Sequence, residues 1–242
     1  MKMPMTCLLV FCAVSAFAAS PEQPAVEKGS SEQMAAGLVW ECTPDPSLPN
    51  VLLLGDSISI GYTLQVRELL KGKANVYRPL KSGKPLNCFT AENGIASLSA
   101  WVGTQKWSVI HFNFGLHDLK YVNGTKLDKV GGTQVSTVEG YKKNLDTLVP
   151  LLQKTGAKLI FATTTIVPAG EGGRVEGDEK RYNEAALEVM KKYGVAVNDL
   201  HALTSTFPPE LFKKPANVHY SEEGSARLAK QVAGSVLQAL QN

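Results

Sequence analysis

Three short stretches of this 242-residue chain carry side chains able to do acyl chemistry. The first is Gly55-Asp56-Ser57-Ile58-Ser59, directly after the apolar run Val51-Leu52-Leu53-Leu54. A serine that leaves a buried strand and opens a helix exposes its hydroxyl, and the unpaired N–H groups of the helix start can hold an anion beside it. Serine is also a good helix N-cap, so this stretch alone does not establish catalysis. It is not the Gly-x-Ser-x-Gly elbow, because position 59 is Ser, and it is not a phosphate-binding Gly-x-x-x-x-Gly-Lys loop. The second stretch is Asn113-Phe114-Gly115-Leu116-His117-Asp118, which places an imidazole and a carboxylate after another apolar run. An ordinary turn with Asp118 bonding local amides is the competing reading. The third is Asn217-Val218-His219-Tyr220, where the plain alternative is a histidine on a surface loop. A serine hydroxyl is a poor nucleophile at neutral pH and needs a base within hydrogen-bond reach and donors for the developing oxyanion. Ser57, with His219 as base and donors from the loops between them, would make up that set.

For these residues to meet, the elements between them must bring them to one edge. Val51–Leu54 reads as a central strand buried on both faces, followed by a helix over 60–70. Val76-Tyr77 is a weak second strand, and 94–102 is a helix with Ile95, Leu98 and Val102 on one side. Residues 107–114 form a strand ending at Gly115. The clearest helix spans 136–155, with a capping box from Ser136 and Glu139 and with Tyr141, Leu145, Leu148 and Leu152 at helical spacing. Pro150 should bend it or disturb its last turns. A strand over 159–163, a helix over 178–192, a short strand over 195–197 and a last helix from Ser221 complete the pattern. Strands alternate with helices about five times, which predicts a three-layer α/β/α fold around a doubly wound parallel sheet of about five strands. Right-handed crossovers put the strands' C-terminal ends on one edge, where such sheets bind ligands, and all three stretches fall there.

The chain start is different in kind. Lys2, the apolar run Cys7 to Val14 and the small residues Ala16 and Ala18 predict a signal peptide over 1–18, cleaved near Ala18, and hence a secreted or periplasmic protein. Residues 19–49 read as a polar linker followed by an extended arm with Pro44, Pro46 and Pro49, and the domain occupies 50–242. At 44% apolar and 19% charged residues the chain can bury a full core. A net charge of +3 without a long basic run points away from nucleic acid and anionic membranes. The leader run is too short to span a bilayer, and no later segment is long and apolar enough. Cys42 and Cys88 remain after the leader and form a candidate disulfide in an exported protein. The absence of Cys-x-x-Cys and His-x-x-x-His motifs argues against zinc, and no other metal or cofactor is implied.

From Val51 to the last helix the chain resembles the GDSL family, also called SGNH hydrolases, whose fold is flavodoxin-like. Gly55-Asp56-Ser57 resembles the family's first block, which implies Ser57 as nucleophile with Asp56 in support. Val218-His219 followed by Glu223-Gly224 resembles the last block and implies His219 as base. Gly115-Leu116-His117-Asp118 resembles the third block, Gly-x-Asn-Asp, with His117 in place of the Asn that donates to the oxyanion. A neutral imidazole can donate one hydrogen bond, so the role can survive. Gly115 and Asp118 then support the loop. The second block normally offers a glycine N–H. Here the stretch is Pro85-Leu86-Asn87-Cys88-Phe89-Thr90, with the Cys88 or Thr90 amide or the Asn87 side chain as candidate donors. The family places Asp three residues before the histidine, but that position is Ala216, followed by Asn217. The orienting group is left open between absence, a backbone carbonyl and a group from elsewhere.

The resemblance implies an ester hydrolase working through an acyl-enzyme, with a small-molecule or glycan ester as partner. Secretion points to an O-acetyl ester on a carbohydrate. A non-catalytic carbohydrate-binding protein on a decayed hydrolase fold and an O-acyltransferase are the alternatives. Arg174, on the glycine-rich stretch 168–177, and Arg181, at the start of the next helix, are candidate substrate contacts, with solvated surface charges as the plain reading. The oligomeric state is left open.

Overall fold

The computed structural model describes residues 39–241, together with Met1. The expected signal peptide over 1–18 and the linker over 19–36 lie outside the described residues. The proline-rich arm over 43–49 contains no helix or strand.

In chain order the elements begin with β1 (Asn50–Leu54), α1 (Ser57–Leu69), β2 (Asn75–Tyr77), β3 (Leu80–Lys81), β4 (Lys84–Pro85), α2 (Ala91–Val102) and β5 (Val109–Phe112). They continue with β6 (Tyr121–Asn123), β7 (Lys126–Leu127), β8 (Thr133–Gln134), α3 (Val138–Gln153) and β9 (Lys158–Ala162). Last come α4 (Asp178–Tyr193), β10 (Ala196–Asn198), α5 (Leu200–Thr204), a 3₁₀ turn (Pro209–Leu211) and α6 (Glu222–Gln241).

Five strands form one parallel sheet in the order β10-β9-β5-β1-β2. Numbered by rank along the chain this is 2-1-3-4-5, the flavodoxin-like order, which reverses direction between β1 and β5. β1 is central because Val51–Leu54 are apolar on both faces, and all four are buried. Helices α1 and α6 pack together on one side, while α2, α3 and α4 pack in sequence on the other. The expected α/β/α layering, with the strand ends on one edge, is what the chain adopts.

Two details of α3 differ from expectation. The helix starts at Val138, and its N-cap is Thr137, whose hydroxyl accepts the Gly140 amide at 3.1 Å, instead of a Ser136–Glu139 box. Pro150 sits inside the helix and cannot donate to the carbonyl of Asp146. That carbonyl is taken up by the Tyr193 hydroxyl at 3.2 Å, so a side chain at the end of α4 replaces the missing amide. The small pieces β3–β4, β6–β8, α5 and the 3₁₀ turn were not expected, being too short to show a period in sequence. The candidate disulfide is corrected as well: Cys42 and Cys88 are free thiols, and Cys88 is buried in the core, where desolvation pushes its thiol up to about 11. Among the described residues no helix is long and apolar enough to cross a membrane.

Candidate active site

The first block is shaped by a cap. Asp56, not Ser57, caps α1, with its Oδ1 accepting the Ile58 amide at 2.9 Å. Ser57 therefore occupies the first helical position with its hydroxyl free for other work. Its own N–H has no acceptor among the described residues, as expected for the first turn of a helix. Gly55 lets the turn close tightly, since a Cβ there would lie 2.9 Å from Ser59 Oγ. Asp56 is buried, and desolvation raises its carboxyl above the ordinary value, with only partial relief from the Ile58 amide and the cations nearby.

Beneath this turn lies Arg78, at the end of β2. It is buried and forms no ion pair among the described residues. Its guanidinium instead donates to Thr63 Oγ1 (2.7 Å), Ser59 Oγ (3.2 Å) and the carbonyl of Leu86 (2.8 Å), with Gly55 O at 3.4 Å. One side chain thus ties the Ser57 turn and α1 to the stretch before Asn87. Sequence reading missed it; the available signal was a lone cation directly after a buried strand.

His219 arrives from the loop before α6. The loop is braced by the antiparallel bridge Phe212–Tyr220 and by Lys213 N–H donating to His219 O at 2.9 Å. Gly224 lets α6 start against the 3₁₀ turn, where a Cβ would lie 2.3 Å from Leu211 O. His219 Nε2 stands 2.8 Å from Ser57 Oγ. On the other side of the ring, Nδ1 stands 2.9 Å from Asn217 Oδ1. The same oxygen accepts the backbone N–H of His219 at 2.9 Å. A backbone amide can only donate, so the Asn217 side chain is fixed with its oxygen toward the ring. Nδ1 must then carry the proton, and Nε2 is left as acceptor for the Ser57 hydroxyl. Asn217 was quoted in the sequence but given no role. Ala216, which precedes it, has φ 52°, a left-handed turn that residue type does not announce. Burial is the main influence on His219 and lowers its pKa below 6.5; Arg174 and Lys213 add to this, while Asp56 and Glu171 oppose it.

The second and third blocks face each other. The Cys88 amide, a candidate oxyanion donor, is corrected here: it donates to Gly55 O at 3.1 Å and is spent inside the fold. Asn87 turns its amide nitrogen toward His117, because its Oδ1 accepts the Phe89 N–H at 2.9 Å. Asn87 Nδ2 lies 3.5 Å from His117 Nε2, and the Phe89 ring stands edge-on to the imidazole with centroids 5.1 Å apart. Lys120 Nζ lies 3.1 Å from His117 Nδ1. Asp118 pins the third block to the start of α2, accepting the Ala91 N–H at 3.0 Å, and burial pushes its carboxyl up to about 7. Gly115 has φ 151°, and a Cβ there would fall 1.9 Å from Thr164 Oγ1, so β9 can approach only a glycine.

Arg174 and Arg181 are placed differently from each other. Arg174 is buried: it pairs with Glu171 at 3.0 Å and donates through Nε to Leu116 O at 2.7 Å, latching the 168–177 stretch to the third block. Arg181 is exposed and pairs with Asp178 at 2.6 Å. Asn183, on the same helix, bonds both backbone groups of Thr164, at 2.7 and 2.8 Å, which docks α4 onto the end of β9.

No protein-family model matches the sequence, and no curated protein matches it either. Solved structures do match. A lipase/acylhydrolase from Enterococcus faecalis is 20% identical, with a TM-score of 0.62 over 78% of this chain and 95% of that one. The acetylxylan esterase Axe2 from Geobacillus stearothermophilus is 18% identical, with a TM-score of 0.61 over 79% of this chain and 94% of that one. An acetyl xylan esterase, AlAXEase, is 16% identical, with a TM-score of 0.62 over 77% of this chain and 99% of that one. At such identities the likeness is one of fold.

Proposed function

We propose that this chain is a serine ester hydrolase of the GDSL/SGNH type, with Ser57 as nucleophile, His219 as base and Asn217 as the group that orients the base. The observation that carries this reading is the relay Ser57 Oγ–His219 Nε2 (2.8 Å) and His219 Nδ1–Asn217 Oδ1 (2.9 Å), whose direction is set by a backbone amide. Ser57 attacks the ester carbonyl as His219 takes its proton. The negative oxygen that forms is held by the Ser57 N–H, with Asn87 Nδ2 and the His117 ring as further donors. The protonated His219 then gives its proton to the leaving alcohol. Water, activated by the same nitrogen, releases the acid and restores Ser57. Arg174 holds the cleft loop, and Asp56, Gly115 and Asp118 hold the turns.

The fold neighbours named acetyl xylan esterases support an O-acetyl ester on a carbohydrate as substrate class. The leader-like start of the sequence supports export. The test is hydrolysis of p-nitrophenyl acetate by the mature protein beside Ser57→Ala and His219→Ala. Wild-type turnover with a loss of ~10⁴-fold or more in each variant is expected for residues acting as a unit. A wild type no faster than Ser57→Ala overturns the reading for simple esters. Acetate release from acetylated xylan then tests the carbohydrate part.

A further inference from the structure

A neutral imidazole has one donor and one acceptor, and which nitrogen plays which part is set by its partners. At His117 both partners are donors. Lys120 Nζ, 3.1 Å from Nδ1, is an ammonium with no lone pair. The nitrogen facing Nε2 at 3.5 Å is Asn87 Nδ2, whose orientation is fixed because Oδ1 is held by the Phe89 amide at 2.9 Å. The ring cannot satisfy both. The shorter, charged contact decides: Nδ1 accepts from Lys120, and the proton sits on Nε2. The Nε2–H and Asn87 N–H donors then face each other with no acceptor between them, an arrangement that a negative oxygen would complete.

We infer that Lys120 is a positioning residue that locks His117 as an Nε2–H donor toward the oxyanion formed on Ser57. This rests on the esterase reading for its purpose, but not for the tautomer itself. The alternative tautomer would present a lone pair to the oxyanion and repel it. An asparagine needs no such device, since its amide nitrogen has no lone pair to offer. The local fold supplies the geometry: Leu119 N–H donates to Gly115 O at 2.9 Å, closing one helical turn, and residues 117 and 120 are neighbours on such a turn. Lys120 is half-buried and makes no ion pair among the described residues, so the imidazole nitrogen is its one recorded side-chain partner. Burial, with the charges of Lys120, Arg174 and His219, keeps His117 from taking a second proton, with its pKa brought down to about 3. The result is two imidazoles of opposite sense in one site, with the proton on Nδ1 in His219 and on Nε2 in His117.

The test reads the tautomers directly, by long-range ¹H–¹⁵N NMR of the histidine rings in the substrate-free protein, with His117→Gln and His219→Gln variants for assignment. The expected wild-type result is Nε2–H for His117 and Nδ1–H for His219. Lys120→Met should move His117 toward a mixture while His219 stays unchanged, and should lower kcat by roughly 10- to 100-fold with KM little altered, up to the ~10²-fold of a lost oxyanion donor. Lys120→Arg, which keeps a cationic donor, should restore both readouts. A wild-type His117 protonated on Nδ1 overturns the inference, and so does a Lys120→Met protein with unchanged tautomer and unchanged kcat. The Nδ1–H outcome in the wild type overturns it even if the Lys120→Met variant does not fold. An inactive wild type in which Lys120→Met still shifts the His117 tautomer overturns the esterase reading and leaves the assignment of Lys120 standing.

Discussion

Asn217 shows how much one oxygen atom can determine. In a serine hydrolase the group behind the histidine does two things: it selects the tautomer and it stabilises the imidazolium with negative charge. An asparagine free to turn its amide can select the wrong tautomer. Here the His219 backbone N–H holds Oδ1 in place at 2.9 Å, so the first task is done and only the charge is missing. Asn217→Ala should therefore lower kcat/KM by roughly 10²-fold or more, short of the ~10⁴ of a lost triad acid. Asn217→Asp should raise kcat. The pH profile separates the two tasks. A general base works when neutral, and burial lowers the His219 pKa below 6.5, so the acid limb of kcat/KM should lie below that pH in the wild type. A carboxylate at 217 favours the imidazolium and should move the limb upward. Ser57 and His219 were legible in the sequence because residue type and position at an element's end announce them. Asn217 was not, because it sits two residues before the histidine instead of three and relies on the left-handed Ala216 to reach the ring. The spent Cys88 amide was equally invisible, since backbone pairing across the Gly55 turn exists only in the folded chain.

At the scale of elements, the site rests on contacts between turns that sequence periodicity does not encode. Arg78 joins α1, the Gly55 turn and the Leu86 stretch through hydroxyls and carbonyls alone. Arg78→Met should cost about 1–3 kcal/mol in urea denaturation, because it leaves buried acceptors unpaired. It should also lower kcat/KM by loosening Asn87 relative to Ser57. Gly115→Ala should be costly for a different reason: the added methyl group falls on Thr164, and a left-handed φ is imposed on alanine. The main strands and long helices were legible, with boundaries displaced by at most three residues, because apolar runs and 3.6-residue spacing follow from burial. The strands of two or three residues over 80–85 and 121–134 carry no such period. Pro150 was read as a disturbance of its helix, yet α3 runs on to Gln153; the repair by Tyr193 could not be foreseen, since it forms only when α3 packs on α4.

The whole molecule follows from β1 being central, which sends the chain first to one side and then to the other and opens the crevice between β1 and β5. That much was legible, because four consecutive apolar residues have few other places to go. The same architecture buries Asp118 against α2 and makes stability depend on pH. Its folded pKa, raised from 3.8 to about 7, means that the native state binds the proton more tightly than the unfolded chain does. Its contribution is therefore fully present below pH 3.8 and is lost as pH rises through about 7. Between those values the wild type should lose stability relative to Asp118→Asn, whose side-chain oxygen can still accept the Ala91 amide; Tm measured across that range on both proteins is the check. Ser57 and His219, finally, meet across a sequence separation of 162 residues, so the proposed nucleophile and base come from opposite ends of the domain. During synthesis the serine is therefore made long before its base. A ribosome-bound or truncated chain ending before residue 219 carries a complete nucleophile turn and no means of activating it. Activity would thus begin only when α6 docks on α1, and turnover would count finished molecules.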